Sequence, residues 1–286
     1  MIEVVRPGPL TTVQDLGRPG HAHLGVPCSG AADRPSLCLA NRLVGNPEDA
    51  AGLEMTFGGA VLRFHRSGWA AVTGAPVPLR VGGRPAAMNA PCHVPAGACL
   101  EVGVPRIGVR SYLAVRGGLA VDPVLGSRST DLLSGLGPAP LRGGDRLPVG
   151  RLPADAPILV DQAPVAPLPE EPVLRILPGP RDDWFTDDAL GVLTTERYEV
   201  TAESNRVGIR LTGRPLRRAR EGELPSEGMV TGALQVPPNG MPIIFLADHP
   251  TTGGYPVIAV LAGRDLPVAA QLRPGQKVRF RLHGGR

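Results

Sequence analysis

The chain has 286 residues, a net charge of +4, 42% apolar residues, Gly 38 and Pro 33. That length fits two domains better than one. So much apolar surface argues against disorder, while turn formers spread along the whole chain argue against fibrous, collagen-like and mainly helical folds. Short β-branched or alternating runs bounded by Gly, Pro or Asn predict strands at 2–6, 53–57, 61–64, 69–73, 99–102 and 110–115. A helix is predicted from an N-cap at Asp33 through Pro35 to a C′ glycine at Gly45, with Leu37, Ala40 and Val44 on one face. A turn follows at Asn46-Pro47-Glu48. The stretch 153–172, rich in Pro, Ala and acid, predicts a linker between domains at 1–152 and 173–286. Beyond it, strands are predicted at 173–177, 198–202, 207–211, 233–236, 243–247, 257–261 and 277–282, with short helices near 182–190 and 265–267. Gln235-Val-Pro-Pro-Asn-Gly-Met-Pro-Ile243 predicts a hairpin turning on Asn239-Gly240.

The two halves repeat loosely. Ile2-Glu-Val-Val-Arg-Pro-Gly-Pro9 recurs as Leu174-Arg-Ile-Leu-Pro-Gly-Pro180, as two related β-barrels in tandem would require. The predicted fold class is therefore mainly β.

Lys277 is the single lysine among 30 Lys and Arg residues. No Gly-Lys-Ser/Thr triplet exists for a P-loop, and an amidase-type Ser–Ser–Lys site, a Schiff base or a biotin attachment would all fall to one residue in a terminal strand pattern. Aromatic residues at 3% leave no platform for base stacking, so nucleic acid is not an expected partner. Cys28, Cys38, Cys92 and Cys99 form no CxxC pair, and neither His21-x-His23 nor Cys92-His93 has zinc-site spacing, so no metal site is expected. No G-x-S-x-G elbow is present. The N-terminus lacks a basic region followed by an apolar run. The longest uncharged stretch, 228–247, is broken by Pro237-Pro238-Asn239-Gly240. The expectation is a cytoplasmic protein without membrane contact.

Five segments carry more paired polar and glycine residues than strands require: 11–18 (TTVQDLGR), 25–33 (GVPCSGAAD), 40–46 (ANRLVGN), 204–208 (SNRVG) and 248–256 (DHPTTGGYP). With Ser111-Tyr-Leu-Ala-Val-Arg-Gly-Gly118, Gly126-Ser-Arg-Ser-Thr-Asp131, Gly144-Asp-Arg-Leu-Pro148 and Gln235–Gly240, they resemble the biotin-dependent carboxyltransferase family, also called the allophanate hydrolase subunit 2 family, and within it the 5-oxoprolinase branch. The resemblance covers nearly the whole chain. It implies two tandem cyclophilin-like β-barrel domains with a few short helices. It also implies a 5-oxoprolinase complex in which this chain works beside a sister of related fold, the B subunit, and a third component, the A subunit. In that complex ATP would be used without a P-loop in this chain, and 5-oxo-L-proline would be opened to L-glutamate. The alternatives are a urea-type carboxyltransferase component, with biotin carried by a partner only, or a non-enzymatic antagonist of a kinase inhibitor. Two departures from the family stand out. Cys38 replaces an Arg common in relatives, whose role would be lost or would pass to Arg34 or Arg42, and relatives often continue beyond the position of Arg286.

The site residues this reading selects are Asp248 as general base, with Thr251, Thr252 and the backbone of Gly253 and Gly254 as oxyanion donors and Tyr255 as a further donor. A tight turn needing glycine at positive φ explains the same segment equally directly. Asn205 and Arg206 offer a carboxylate clamp, or a turn whose Arg pairs with a structural acid. Gln14, Asp15 and Arg18 form a site edge or a buried polar network. Ser29 and Asp33 read first as turn and cap residues, Asn41 as a buried amide, and Glu227 as an exposed turn residue. His21, His23 and His249 receive no role.

Overall fold

The computed structural model describes residues 1–151, 157–222 and 224–284. They divide into two compact units. The first comprises Met1–Arg18, Ser29–Asp131 and Gly135–Leu168; the second comprises Pro19–Cys28, Leu132–Ser134 and Pro169–Arg286. Of the stretch predicted as a linker, 153–156 lies outside the described residues. Pro157–Leu168 belongs to the first unit, where the Ala163 N–H donates to the Asn89 carbonyl at 2.8 Å. In the second unit the Pro169 and Pro172 carbonyls accept from Gln276 Nε2 and the Arg279 N–H.

The first unit contains β1 (Ile2–Arg6), β2 (Leu10–Gln14), α1 (Arg34–Leu43), β3 (Gly52–Thr56), β4 (Val61–Phe64), β5 (Gly68–Gly74), β6 (Leu79–Val81), β7 (Arg84–Ala86), β8 (Pro91–Val94), β9 (Cys99–Val102), β10 (Arg110–Val115) and β11 (Arg146–Leu147). They form two sheets, ordered β11-β1-β4-β9-β6-β7 and β2-β3-β10-β5-β8. One core joins both. Ile2, Val4, Leu62, Phe64 and Leu100 enter it from the first sheet, and Val13, Leu53, Met55, Val72 and Leu113 from the second. Each such side chain is worth about 1.5–3 kcal/mol when fully buried. Helix α1 begins as its sequence predicts. Asp33 accepts from the Ser36 N–H at 3.2 Å and from Ser36 Oγ at 2.7 Å, Pro35 sits in the first turn, and Gly45 follows with φ +71°. Leu37, Ala40 and Val44 are all fully buried.

A buried polar network fixes the approach to this helix. Glu54 Oε2 accepts from Tyr112 Oη at 2.8 Å and from the Ala32 N–H at 3.0 Å, while Tyr112 Oη accepts from the Asp33 N–H at 2.8 Å. Arg110 Nε lies 3.4 Å from Glu54 Oε1. Burial, reinforced by the charges of Glu54 and Asp33, pushes the Tyr112 phenol well above its ordinary value, so it stays a neutral donor.

The second unit contains β12 (Val173–Pro178), α2 (Ala189–Thr195), β13 (Tyr198–Val200), β14 (Gly208–Thr212), β15 (Glu227–Gly228), β16 (Ala233–Gln235), β17 (Ile243–Phe245), β18 (Thr252–Gly253), β19 (Val257–Leu261), α3 (Leu266–Ala269) and β20 (Lys277–Leu282). Seven of these strands close a barrel in the order β12-β19-β16-β17-β14-β13-β20, sealed by the parallel pairing of β12 with β20. Its core includes Leu174, Ile176, Tyr198, Ile209, Leu234, Ile258 and Phe280. β16 and β17 form the predicted hairpin, with Gly240 at φ +77°. The repeat seen in the sequence survives in burial: Ile2 and Val4 of β1 point inward as Leu174 and Ile176 of β12 do, with Glu3 and Arg175 half-buried between them. The chain is thus mainly β with a few short helices, and no described helix is long and apolar enough to cross a membrane.

Candidate functional site

In the first unit the chain leaves β2 into a knot of three loops. The Ala31 N–H donates to the Asp15 carbonyl at 2.9 Å, and the Asp15 N–H donates to Ser129 Oγ at 2.9 Å. The Asp15 carboxylate is saturated. Oδ1 accepts from the Gly17 N–H (2.8 Å), Ser127 Oγ (2.6 Å) and Ser129 Oγ (2.6 Å), and Oδ2 accepts from the Arg128 N–H (2.6 Å). Gly30 is required where these loops meet: its φ is +90°, and a Cβ there would sit 2.7 Å from the Gly17 nitrogen. Ser29 beside it holds φ +53° while fully buried, with Oγ donating to the Thr130 carbonyl at 3.2 Å.

Gln14 and Arg18 are also buried, but incompletely satisfied. Gln14 Nε2 donates to the Thr130 carbonyl at 2.9 Å and to Thr12 Oγ1 at 3.1 Å; Arg18 donates from Nη2 to the Ser129 carbonyl and from Nε to the Val124 carbonyl. Gln14 Oε1, Arg18 Nη1 and Thr130 Oγ1 are buried and make no hydrogen bond. A buried polar group left this way costs about 1–3 kcal/mol.

In the second unit, Arg206 and Asp248 come together. Arg206 Nε donates to Asp248 Oδ2 and Nη2 to Oδ1, both at 2.9 Å, and neither side chain is more than 1% exposed. The Leu132 N–H adds a third bond to Oδ2 at 3.2 Å. The fork that the sequence offered to a substrate carboxylate therefore closes on Asp248, and the carboxylate read as a base already accepts from a guanidinium. Asn205 is occupied by its own turn, its Oδ1 accepting from the Val207 N–H at 2.8 Å and the Gly208 N–H at 3.3 Å.

Thr251 to Tyr255 run from a loop into β18, which pairs with β15. Neither Gly253 nor Gly254 has a left-handed φ, and Gly253 lies in β18, so the alternating helical conformations that an anion nest needs are not present there. Glycine at 253 answers a close approach instead: a Cβ would lie 2.6 Å from Gln235 Nε2, which donates to the Tyr255 carbonyl at 3.0 Å. The Thr252 and Tyr255 side chains are exposed, and Arg218 stacks over the Tyr255 ring at 5.7 Å. On the facing strand Glu227 is no free turn residue. Arg181 Nε donates to its Oε1 at 2.8 Å, and the hydrogen bonds from Arg181 lower the Glu227 carboxyl below its usual range.

The structure thus brings Arg206 to Asp248, and Gln14, Asp15 and Arg18 to one loop knot, each set within its own unit. Sequence reasoning misses Ser127, Ser129 and Thr130 as partners of that knot, although Gly126–Asp131 is visible as a dense segment. It also misses Arg181, Arg218 and Gln235, each lying in a run that otherwise reads as strand or turn.

Comparison with known proteins bears on the whole chain. Residues 24–282 match the family model described as carboxyltransferase domain, subdomain A and B. The chain is 40% identical to the C subunit of Escherichia coli 5-oxoprolinase over 283 residues, covering 98% of this chain and 90% of that one. Among solved structures, TTHA0988 superposes with a TM-score of 0.90 at 39% identity over 98% of this chain, which spans only 55% of the TTHA0988 chain. The urea amidolyase of K. lactis superposes with a TM-score of 0.90 at 33% identity, and there this chain spans 18% of the longer protein. With the match of residues 24–282 and these relatives in agreement, the chain belongs to the carboxyltransferase domain family, subdomains A and B.

Proposed function

We propose that this chain is the C subunit of an ATP-dependent 5-oxoprolinase. The observation that carries the reading is a nearly end-to-end match: 98% of this chain aligns with 90% of the C subunit of the E. coli enzyme at 40% identity. In the proposed complex, the A and B subunits complete the enzyme and supply the ATP chemistry. A lactam is a stabilised amide, so transfer of the γ-phosphoryl group to the amide oxygen makes the ring carbonyl carbon attackable. Water then adds to that carbon and the ring C–N bond breaks to leave an acyl phosphate, which a second water hydrolyses, so the products are L-glutamate, ADP and phosphate. Such a site needs a grip on the substrate, donors for the developing oxyanion and a base for the water.

Within this chain the reading assigns Gln14 and Arg18 to substrate contact, with Asp15 holding their loop. Thr251, Thr252, Gly253, Gly254 and Tyr255 stay as a rim of donors. Asp248, Arg206 and Asn205 act as positioning residues, because their polar atoms already serve one another and the turn beside them. The test is co-purification from the native host followed by an ATPase assay. Two partners, with phosphate and glutamate released together only when 5-oxo-L-proline is present, support the reading; no lactam-dependent ATPase in the full complex overturns it.

A second reading is carboxyl transfer from carboxybiotin to a urea-like amide. The superposition on urea amidolyase at TM-score 0.90 favours it. It requires a biotinylated partner, since the only lysine here, Lys277, lies exposed on β20, and its sign is such a partner co-purifying without 5-oxo-L-proline-dependent ATPase.

A further inference from the structure

The barrel of the second unit carries a cavity of about 350 Å³ on its outer wall, in the size range of a small-metabolite site. Strand alternation builds one side of it. β14 buries Gly208, Ile209 and Leu211 and exposes Arg210 and Thr212, and Arg210 stands in register with Ile243 of β17, so both side chains share the outer face. Two connections complete it. The chain leaving β13 folds back on β14, where the Thr201 N–H donates to the Arg210 carbonyl at 2.9 Å and the Arg210 N–H donates to Ser204 Oγ at 3.0 Å, which brings Glu203 to Arg210. The β16–β17 turn adds Pro237, Asn239 and Met241.

The polar groups around this cavity have capacity to spare. Arg210 Nε lies 3.9 Å from Glu203 Oε2, beyond hydrogen-bond distance, and the guanidinium makes no hydrogen bond among the described residues. Asn239 Oδ1 accepts from the Met241 N–H at 3.0 Å, which leaves Nδ2 as an unused donor. Thr201 Oγ1 is buried without a hydrogen bond. Beside these groups, Pro237, Met241 and Ile243 are half-buried and apolar.

We infer that this cavity binds a free apolar α-amino acid, of the leucine or methionine class. Such a molecule carries a carboxylate, an ammonium group and an apolar side chain on one carbon. The carboxylate suits the planar fork of Arg210, with Asn239 Nδ2 as a further donor, and the ammonium group suits Glu203. The side chain covers Pro237, Met241 and Ile243. A lone carboxylate gains Arg210 but meets Glu203, and a lone ammonium group meets the reverse, so the paired charges select the zwitterion. 5-Oxo-L-proline has no ammonium group, so this site is separate from the reaction proposed above and stands whether or not that reaction is correct.

The test is an NMR titration of the full chain carrying isotope-labelled methionine methyl groups. Five methionines give five signals, and Met241→Leu identifies the one in the cavity. The probes are L-leucine; 4-methylpentanoate, which lacks its ammonium group; 3-methylbutylamine, which lacks its carboxylate; and glycine, which lacks its side chain. Leucine should shift the Met241 signal and leave the others in place, and each analogue should bind about 10-fold or more weakly, for want of one charged contact or of the apolar side chain. Arg210→Gln should weaken leucine by about 10-fold or more and leave 3-methylbutylamine unchanged, whereas Glu203→Gln should weaken leucine but not 4-methylpentanoate. Both side chains are more than half exposed and their pair adds little to stability, so both variants keep the fold. A Met241 signal unmoved by leucine, 4-methylpentanoate binding as tightly as leucine, or full leucine affinity in Arg210→Gln would each overturn the site. A complex that hydrolyses 5-oxo-L-proline while the chain ignores leucine removes this site and leaves the proposed activity standing.

Discussion

Asp248 and Arg206 separate a structural role from a chemical one, and Asp248→Ala is the informative perturbation. In the wild-type chain the pair is bidentate, both bonds measure 2.9 Å, and neither side chain is more than 1% exposed. Removing the carboxylate leaves a buried guanidinium without its counter-charge, which costs about 3–5 kcal/mol. It also strips the Leu132 N–H of its acceptor, for roughly a further 1 kcal/mol. Domain stability is about 5–15 kcal/mol in total, so the variant should unfold far more readily, with Tm lower by roughly 10 °C or more. Urea denaturation followed by fluorescence reads this out, because Trp69 and Trp184 are the only tryptophans and Trp184 packs against the second unit's core. In a Trp69→Phe background the remaining signal reports that unit alone. The double variant Arg206→Met with Asp248→Leu should recover most of the loss, since apolar isosteres replace a buried pair at little cost. Single variants that each lose less than about 1 kcal/mol, with an additive double variant, would refute the reasoning and return Asp248 to the role of free base.

Other consequences are local. Gly253→Ala should displace the flexible end of Gln235 from the Tyr255 carbonyl, because the added Cβ meets Gln235 Nε2 at 2.6 Å, and should cost about the lost hydrogen bond, roughly 1 kcal/mol in thermal unfolding. Tyr112→Phe removes a donor to Glu54 and an acceptor for the Asp33 N–H, and should cost about 1–3 kcal/mol in the same measurement. For Asp265, burial raises the carboxyl, but the side-chain and backbone bonds from Arg175 outweigh it and set the folded value below the unfolded one. The stability this contributes is present above about pH 4 and is lost as pH falls through the folded value, so Asp265→Asn should flatten the acid limb of a Tm–pH profile. Burial lifts the Cys92 thiol to about 11, and alkylation at pH 8 should leave Cys92 largely unmodified, as peptide mapping would show.

The legible part of the fold is the part written in β-branched runs. Val61–Phe64, Cys99–Val102, Arg110–Val115 and Val257–Leu261 begin and end where their bounding glycines and prolines place them. β2 reads as a functional segment because Thr-Thr-Val-Gln looks polar, yet Thr11, Thr12 and Gln14 are all buried. Thr11 and Thr12 are satisfied close by, at the Pro7 carbonyl and by Gln14 Nε2, while Gln14 also reaches the Thr130 carbonyl, a partner no local pattern displays. β6, β7 and β8 are three or four residues long, and Pro85 and Pro91 break the usual strand signature, as proline does toward sheet edges. The same difference separates the two halves of the candidate site. Gln14, Asp15 and Arg18 stand out as a dense polar cluster, but Ser127, Ser129 and Thr130 join them from more than 100 positions away. Arg206 and Asp248 are both visible as candidates, and it is their separation of 42 positions that hides their attachment to each other.

The two reactions proposed for this family member ask the same thing of its own residues: to grip an amide through its oxygen and its N–H. They differ in the origin of the electrophile. Phosphoryl transfer brings it from ATP, and carboxyl transfer brings it from a biotin that this chain has no suitable lysine to carry, since Lys277 sits exposed on β20 beside Glu199. Neither source is written in the loops around Gln14 and Arg18, so one amide-binding knot would serve both chemistries. On this view substitutions in the knot alter affinity for the amide under either partner set. Exchange of partner subunits, by contrast, is what should convert one reaction into the other. A chain in which Gln14→Leu abolished ATP hydrolysis measured without any amide would contradict that division, because it would place the knot in the electrophile's own chemistry.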